Sequence, residues 1–153
     1  MNKILSIIFV SLLLSGSANA FNKLKGINEV DLLVEVYGDV KACPIKKESI
    51  VTAVKYILQN SKIKIKKDDA YVPMLYIAVG AIKSGGVCTA DIDIRVEAFP
   101  AKDPLGLNNS GYFVYYRNGS MTSGGSQSEF LNSIVNAVEI IMKDLVVKHH
   151  EDN

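Results

Sequence analysis

Three acidic side chains share one side of a predicted strand and are the best-placed groups for chemistry. Asp91, Asp93 and Glu97 alternate with apolar residues, and side chains two residues apart on a strand stand about 6.5 to 7 Å apart, which overlaps the carboxylate spacing of inverting glycosidases. We expect Asp31 and Glu35 on the same side of a neighbouring strand. Any solvated sheet face shows this pattern, and no flanking aromatic residues mark a sugar-binding cleft. A small hydrolase is therefore the alternative function rather than the leading one.

The remaining chemical groups are poorly placed for catalysis. The two histidines, His149 and His150, stand next to each other near the C-terminus, where we expect a solvated tail after the last helix. Adjacent helical side chains point about 100° apart, so the pair is not expected to bind a metal with Glu151 and Asp152. Gly124-Gly125-Ser126 precedes a predicted helix but lacks the lysine of a phosphate-binding loop. We expect neither a metal nor a cofactor.

The two cysteines, Cys43 and Cys88, are predicted to form a disulfide. They lack the close spacing of a redox motif, and no histidine lies between them to suggest a metal site. An even number of cysteines in an exported protein usually pairs. Closing a loop of about 45 residues is expected to stabilise the fold by about 4 kcal/mol.

The N-terminus has the pattern of a secretory signal peptide. Lys3 precedes an apolar run from Ile4 to Leu14, which is too short to span a bilayer, and Ala18-Asn19-Ala20 supplies the small residues that signal peptidase requires. We predict that residues 1–20 are removed by cleavage after Ala20. Residues 21–153 would then form a single periplasmic or secreted domain that does not span the membrane.

The predicted mature chain is electrically neutral. The whole sequence has 17 basic and 16 acidic residues, and Lys3 is the one charged residue of the leader. A nucleic-acid-binding domain is usually strongly basic, because it must neutralise phosphates. Nucleic acid is therefore excluded as a partner.

Hydrophobic periodicity predicts strands and helices along residues 21–153. Alternation is clearest from Cys88 to Phe99, where Arg95 is expected to pair with a neighbouring acid. Helical spacing predicts one helix beginning near Pro44 and another after Ser126, whose spacing to Glu129 is that of a capping box. The remaining predicted strands cover residues 30–37, 62–67, 71–82 and 112–117. Ser84-Gly85-Gly86 predicts a turn, and Asn118-Gly119 predicts a hairpin that returns as a strand at 120–123.

This order of elements predicts an α+β fold. We expect a two-layer sandwich with a mainly antiparallel sheet of four to five strands and two helices on one face, in the order β-α-β-β-β-α. The second helix is expected to lie along the middle of the sheet.

A lysine-rich segment, residues 62–67, is predicted to form a strand at the border of the sheet. Lysines on a border strand discourage aggregation. The alternative is that Lys62, Lys64, Lys66 and Lys67 contact anionic lipid or an envelope polymer.

An interaction surface is predicted around a tyrosine-rich strand and the polar loop that precedes it. Tyrosine is enriched in protein interfaces, and the loop over residues 100–111 is long enough to serve as a contact surface. Alternation places Tyr115 on the side of the strand opposite to Tyr112 and Tyr116. The predicted surface consists of Tyr112, Tyr116, Arg117, Asp103 and Asn108.

Together these features favour a non-catalytic exported binding or interaction module, such as an accessory or assembly component of the cell envelope. Its partner would be an envelope protein or an envelope polymer. A carrier of a small apolar ligand, bound between helix and sheet, is the other alternative to the hydrolase.

Overall fold

Five strands form one sheet in the computed structural model, which describes residues 24–67, 72–98 and 113–153. The strands are β1 (Glu29–Gly38), β2 (Lys64–Ile65), β3 (Met74–Ser84), β4 (Val87–Ala98) and β5 (Phe113–Gly124), in the spatial order β2-β1-β3-β4-β5. β1 pairs in parallel with β2 and β3. The longer pairings, β3 with β4 and β4 with β5, are antiparallel. The predicted signal peptide and its cleavage site lie outside the described residues.

Two helices cover one face of this sheet and confirm the predicted α+β sandwich, although four strands rather than the expected three lie between the helices in the sequence. Helix α1 (Lys47–Gln59) lies against β1 and β2, helix α2 (Gln127–Asp152) lies against β5 and β4, and the two helices contact each other. Helix α2 is therefore displaced from the middle of the sheet, because α1 occupies the other half. The buried stripe of α2 consists of Phe130, Ile134, Val138, Ile141, Met142, Leu145 and His149.

The N-terminus of α2 agrees with the sequence prediction, and that of α1 differs from it by a few residues. The capping box is present: the Glu129 N–H donates to Ser126 Oγ at 3.3 Å, and the Ser126 N–H donates to Glu129 Oε2 at 3.0 Å. Hydrogen bonds from the backbone N–H and the hydroxyl of Ser126 lower the pKa of the Glu129 carboxyl group. Helix α1 begins at Lys47 rather than near Pro44, because Lys46 keeps an extended backbone.

Alternation along β4 places its apolar residues under the helices, as predicted. The inward residues of this strand are all buried: Ala90, Ile92, Ile94, Val96 and Ala98. The predicted turn from β3 to β4 is also confirmed, since Gly85 and Gly86 have φ values of 57° and 86°. Glycine adopts such positive φ values without steric cost.

The predicted hairpin at Asn118-Gly119 is wrong. β5 continues from Phe113 to Gly124 and pairs with β4 along nearly its whole length, with Asn118 opposite Ile94 and Gly119 opposite Asp93. A Cβ at Gly119 would stand 2.8 Å from the Ile92 carbonyl oxygen. This glycine therefore serves close packing within the sheet rather than a turn.

The predicted solvated tail is also wrong. His149 is fully buried within α2, and its Nε2 lies 2.8 Å from the Ile27 carbonyl oxygen. Asp152 accepts a hydrogen bond from the Leu24 N–H at 2.7 Å, and Asn153 accepts one from the Gly26 N–H at 2.9 Å. Burial lowers the pKa of His149. The end of α2 thus holds the segment that leads into β1.

The predicted disulfide between Cys43 and Cys88 is present, with the two Cα atoms 5.7 Å apart. Cys43 lies in the connection between β1 and α1, and Cys88 lies at the start of β4. A paired disulfide is typical of an oxidising compartment.

Candidate functional site: the open face of the sheet

The side of the sheet that faces away from the helices, which we call the open face, presents three cross-strand rows. Each row takes one residue from β1, β3, β4 and β5 in the observed register. Opposite residues in neighbouring strands stand about 5 Å apart, so their side chains interact. The rows are Leu33–Tyr76–Arg95–Arg117, Glu35–Ala78–Asp93–Gly119 and Tyr37–Gly80–Asp91–Met121.

Asp93 is at the centre of a charged cluster. Arg117 Nε lies 3.0 Å from Asp93 Oδ1 and Arg117 Nη2 lies 3.3 Å from Oδ2, so this guanidinium holds both carboxylate oxygens. Arg95 Nε is 3.2 Å from the same Oδ2, and Arg95 Nη1 is 3.6 Å from Glu97 Oε2. The predicted pairing of Arg95 with a neighbouring acid is therefore confirmed.

Tyr76 connects this cluster to β1. Its hydroxyl donates a hydrogen bond to Glu35 Oε2 at 2.6 Å, and the Arg95 guanidinium carbon lies 4.6 Å from the centre of its ring. The hydrogen bond to Glu35, together with burial, raises the pKa of Tyr76 to about 12. A tyrosine held in this protonated state positions its neighbours and does not act as a base near neutral pH.

The predicted carboxylate group is only partly assembled. Glu97 is 3% exposed, so it is not on a solvated surface as expected, and a substrate could not reach it. Asp93 has its oxygens occupied by two guanidinium groups. Asp91 is exposed. This arrangement lacks the accessible acid and base that glycoside hydrolysis requires.

The expectation that Asp31 and Glu35 lie on a strand next to β4 is wrong. β3 separates β1 from β4, so Glu35 and Asp93 lie two strand spacings apart, about 10 Å. Tyr76 and Ala78 of β3 stand between the two strands. The acidic residues of β1 are therefore not neighbours of those on β4.

The open face also carries exposed apolar side chains. Met121 is 73% exposed, Ile82 is 67% exposed and Tyr37 is 50% exposed. No local sequence pattern marks these three residues as a group, because they belong to three different strands, β1, β3 and β5. Five large exposed hydrophobic residues have their side chains on this face: Leu33, Tyr37, Ile82, Val87 and Met121.

A shallow groove of about 810 Å³ lies among these residues. Tyr37 and Met121 belong to the row that crosses it, and Asp91, Asp93 and Arg117 also line it. The groove exists because Gly119 contributes no side chain to the middle of β5.

The predicted interaction surface is changed by the structure. Arg117 lies on the open face, with its side chain 65% exposed. Tyr116 is 2% exposed and lies under α2, where its hydroxyl hydrogen-bonds to the Ile141 carbonyl oxygen at 3.1 Å and to Asp144 Oδ2 at 2.9 Å. Its assignment to an exposed surface is therefore wrong. Tyr112, Asp103 and Asn108 lie outside the described residues.

The burial of Tyr116 changes its pKa and is linked to a change in the pKa of Asp144. Burial, together with the hydrogen bond to Asp144, raises the pKa of Tyr116. Burial opposes ionisation of Asp144, but hydrogen bonds from Lys148 and Tyr116 outweigh it and lower the pKa of Asp144. These residues join β5 to α2 and have a structural role.

The layer between helices and sheet is filled by side chains. Phe130, Ile134 and Met142 of α2 are at most 1% exposed, and Ile92 and Ile94 of β4 are equally buried beneath them. A carrier of an apolar ligand would need space in this layer. The packing observed there gives that alternative no support.

Within the described part of the chain, no group of three or more His, Cys, Asp or Glu residues is arranged to hold a metal ion. None of the helices found there is both long and apolar enough to cross a membrane.

Comparisons with known proteins identify no family. No protein-family model and no curated protein matches the chain. The chain is similar to a minor lipoprotein from Acinetobacter baumannii, known from a crystal structure, with a TM-score of 0.40 and 10% identity over 82% of this chain and 95% of that chain. A likeness at this level carries no inference about function.

Proposed function

We propose that the protein is a non-catalytic exported binding module and that the open face of its sheet contacts a protein partner. The observation that supports this proposal most strongly is the grouping of exposed Tyr37, Ile82 and Met121 with Arg117 on one side of the sheet. Tyrosine, methionine and arginine are the residues enriched in protein interfaces.

The shape of the surface favours a protein over a small molecule. Small ligands are usually buried in enclosed pockets, whereas the groove beside Tyr37 and Met121 is shallow. The internal ion pairs of Asp93 with Arg95 and Arg117 keep the face rigid, so little conformational entropy is lost on binding. The partner would contact the apolar side chains of Tyr37 and Met121 at the sides of the groove and the charged side chains of Asp91 and Arg117 within it, as an accessory or assembly component of the cell envelope.

Export to the periplasm or the medium is part of the proposal. The Cys43–Cys88 disulfide supports it, because disulfides persist in oxidising compartments. The leader-like sequence of residues 1–20 supports it independently.

Affinity capture with matched variants tests the contact surface. The tagged full-length gene would be expressed, the envelope gently cross-linked, and proteins captured with the exported form identified by mass spectrometry. Ile82→Lys places a charge on the open face, and Ile140→Lys does the same on the outer side of α2, where Ile140 is 68% exposed. The two isoleucines are equally exposed, so the two variants place the same charge at equally accessible positions.

We expect one stoichiometric partner to be captured by the wild type and by Ile140→Lys. Its recovery should fall at least about tenfold with Ile82→Lys, which is typical for a charge placed within an interface core. Equal recovery with Ile82→Lys, or selective loss with Ile140→Lys, would contradict the open-face assignment. Urea unfolding of all three proteins checks that the substitutions leave the fold intact.

A further inference from the structure

Four exposed lysines lie at the β2 border of the sheet. They are Lys55 on α1 and Lys62, Lys64 and Lys67 in and around β2, and we call them the lysine edge. None of the four makes an ion pair within the described ranges, whereas nearby Lys66 pairs with Glu29 at 3.3 Å. The predicted border strand is present at the edge of the sheet, but it covers Lys64–Ile65 rather than residues 62–67. The charges of the lysine edge are not neutralised by described neighbours.

Two shallow grooves meet at this edge. One of about 530 Å³ is lined by Lys62 and Lys64 and also by Glu29, which pairs with Lys66. The other, of about 670 Å³, is lined by Lys55, Lys64 and Lys67. The floor of the second groove includes Leu58, Ile63 and Ile65. Cationic rims above a partly apolar floor match the chemistry of a phospholipid headgroup and its glycerol region.

The predicted leader would keep the lysine edge close to a membrane until it is cleaved. Gly26 lines the same groove as Lys62 and Lys64, so the polypeptide enters the domain beside this edge. The apolar run of the predicted leader ends at Leu14. Nine residues lie between Leu14 and Leu24, the first described residue, so a chain of this length keeps the two positions within about 35 Å of each other.

We propose that the lysine edge binds the anionic phospholipid headgroups of a bilayer surface. The predicted mature chain has equal numbers of basic and acidic residues, so attraction to such a surface has to come from the local concentration of charge rather than from the net charge. Protection of the border strand against aggregation explains lysines at this place, but it does not require the grooves that they surround.

Co-sedimentation with lipid vesicles tests this proposal. The exported form of the protein, with its N-terminus established by mass spectrometry, would be mixed with vesicles of phosphatidylglycerol and phosphatidylcholine or of phosphatidylcholine alone. The test variant carries Lys55→Gln, Lys62→Gln and Lys64→Gln. The control carries Lys41→Gln, Lys46→Gln and Lys47→Gln, which are exposed lysines around the start of α1. Both variants lose the same charge.

We expect binding to the anionic vesicles alone, weakened by added salt. Each lysine near an anionic surface contributes about fivefold to partitioning, so the test variant should bind on the order of 100-fold more weakly. The control should bind much as the wild type does, and Lys62→Arg with Lys64→Arg should retain binding because arginine keeps the charge.

Three results would overturn the proposal. The first is that the wild type binds equally to both kinds of vesicle. The second is that the two triple variants lose vesicle binding to the same extent. The third is that the wild type binds no vesicles while the test variant aggregates. The last result would show that the lysines protect the border strand instead.

Discussion

Reduction of the Cys43–Cys88 disulfide is expected to lower the free energy of unfolding by about 4 kcal/mol. The two cysteines are 45 residues apart in sequence. Releasing a loop of that length returns about 13 cal/mol/K of conformational entropy to the unfolded chain, which is about 4 kcal/mol near room temperature. The folded chain gains little freedom in comparison, because the Cys43 N–H still donates to the Asp39 carbonyl oxygen at 2.8 Å.

Urea unfolding of the oxidised and the reduced protein measures this difference. With a slope of about 2 kcal/mol/M, the midpoint should fall by about 2 M on reduction. A variant with Cys43→Ala and Cys88→Ala should unfold near the reduced midpoint and should not respond to reductant, which controls for effects of the reductant on other groups. Thiol titration establishes the redox state of each sample.

A midpoint that moves by less than about 0.5 M would refute the reasoning. It would mean that the unfolded chain is already restricted between Cys43 and Cys88, or that the disulfide strains the folded protein by an offsetting amount. A large change in slope would instead show that reduction changes the surface exposed on unfolding.

Two further predictions concern buried side chains. Burial lowers the pKa of His149 below its ordinary value of 6.5, so the unfolded chain binds the proton first as the pH falls through that value. As the pH falls, the free energy of unfolding should then decrease by up to about 1.4 kcal/mol per pH unit. His149→Gln should remove this pH dependence, whereas His150→Gln, at an exposed position, should leave it unchanged. A free energy of unfolding of the wild type that stays constant from about pH 7 to about pH 5 would contradict the prediction. Tyr116→Phe removes the hydroxyl that bonds to Ile141 and Asp144 and should cost about 1 to 2 kcal/mol in urea unfolding. Tyr56→Phe on the exposed side of α1 should cost nothing measurable, and equal effects of the two changes would show that the buried hydroxyl contributes no stability.

Local sequence signals predicted most elements of the fold because these elements depend on nearby residues. The alternation along β4 and the capping box of α2 both operate within one strand or one helical turn. The same locality caused the error at Asn118-Gly119. This dipeptide favours a turn in isolation, but β4 offers an extended partner, and pairing with that strand keeps β5 straight.

The candidate site was harder to predict because it depends on the order of strands in space. Asp91 and Asp93 were correctly assigned to the outward side of β4, and Asp31 and Glu35 to the same side of another strand, β1. Their separation by β3 follows from the parallel pairing of β1 with β3, which no local pattern encodes. Tyr116 was misplaced because alternation divides a strand into two sides without indicating which side a helix will cover.

The sequence by itself determined the α+β class, the disulfide partners and the apolar faces of the helices, because these follow from periodicity and from having two cysteines. Only the tertiary structure decided that His149 is buried against Ile27 and that Asp93 lies between two arginines. It also decided that the lysine edge has no ion pair within the described residues. These contacts join residues far apart in the chain, and their energies depend on distances that are set when the helices and strands pack.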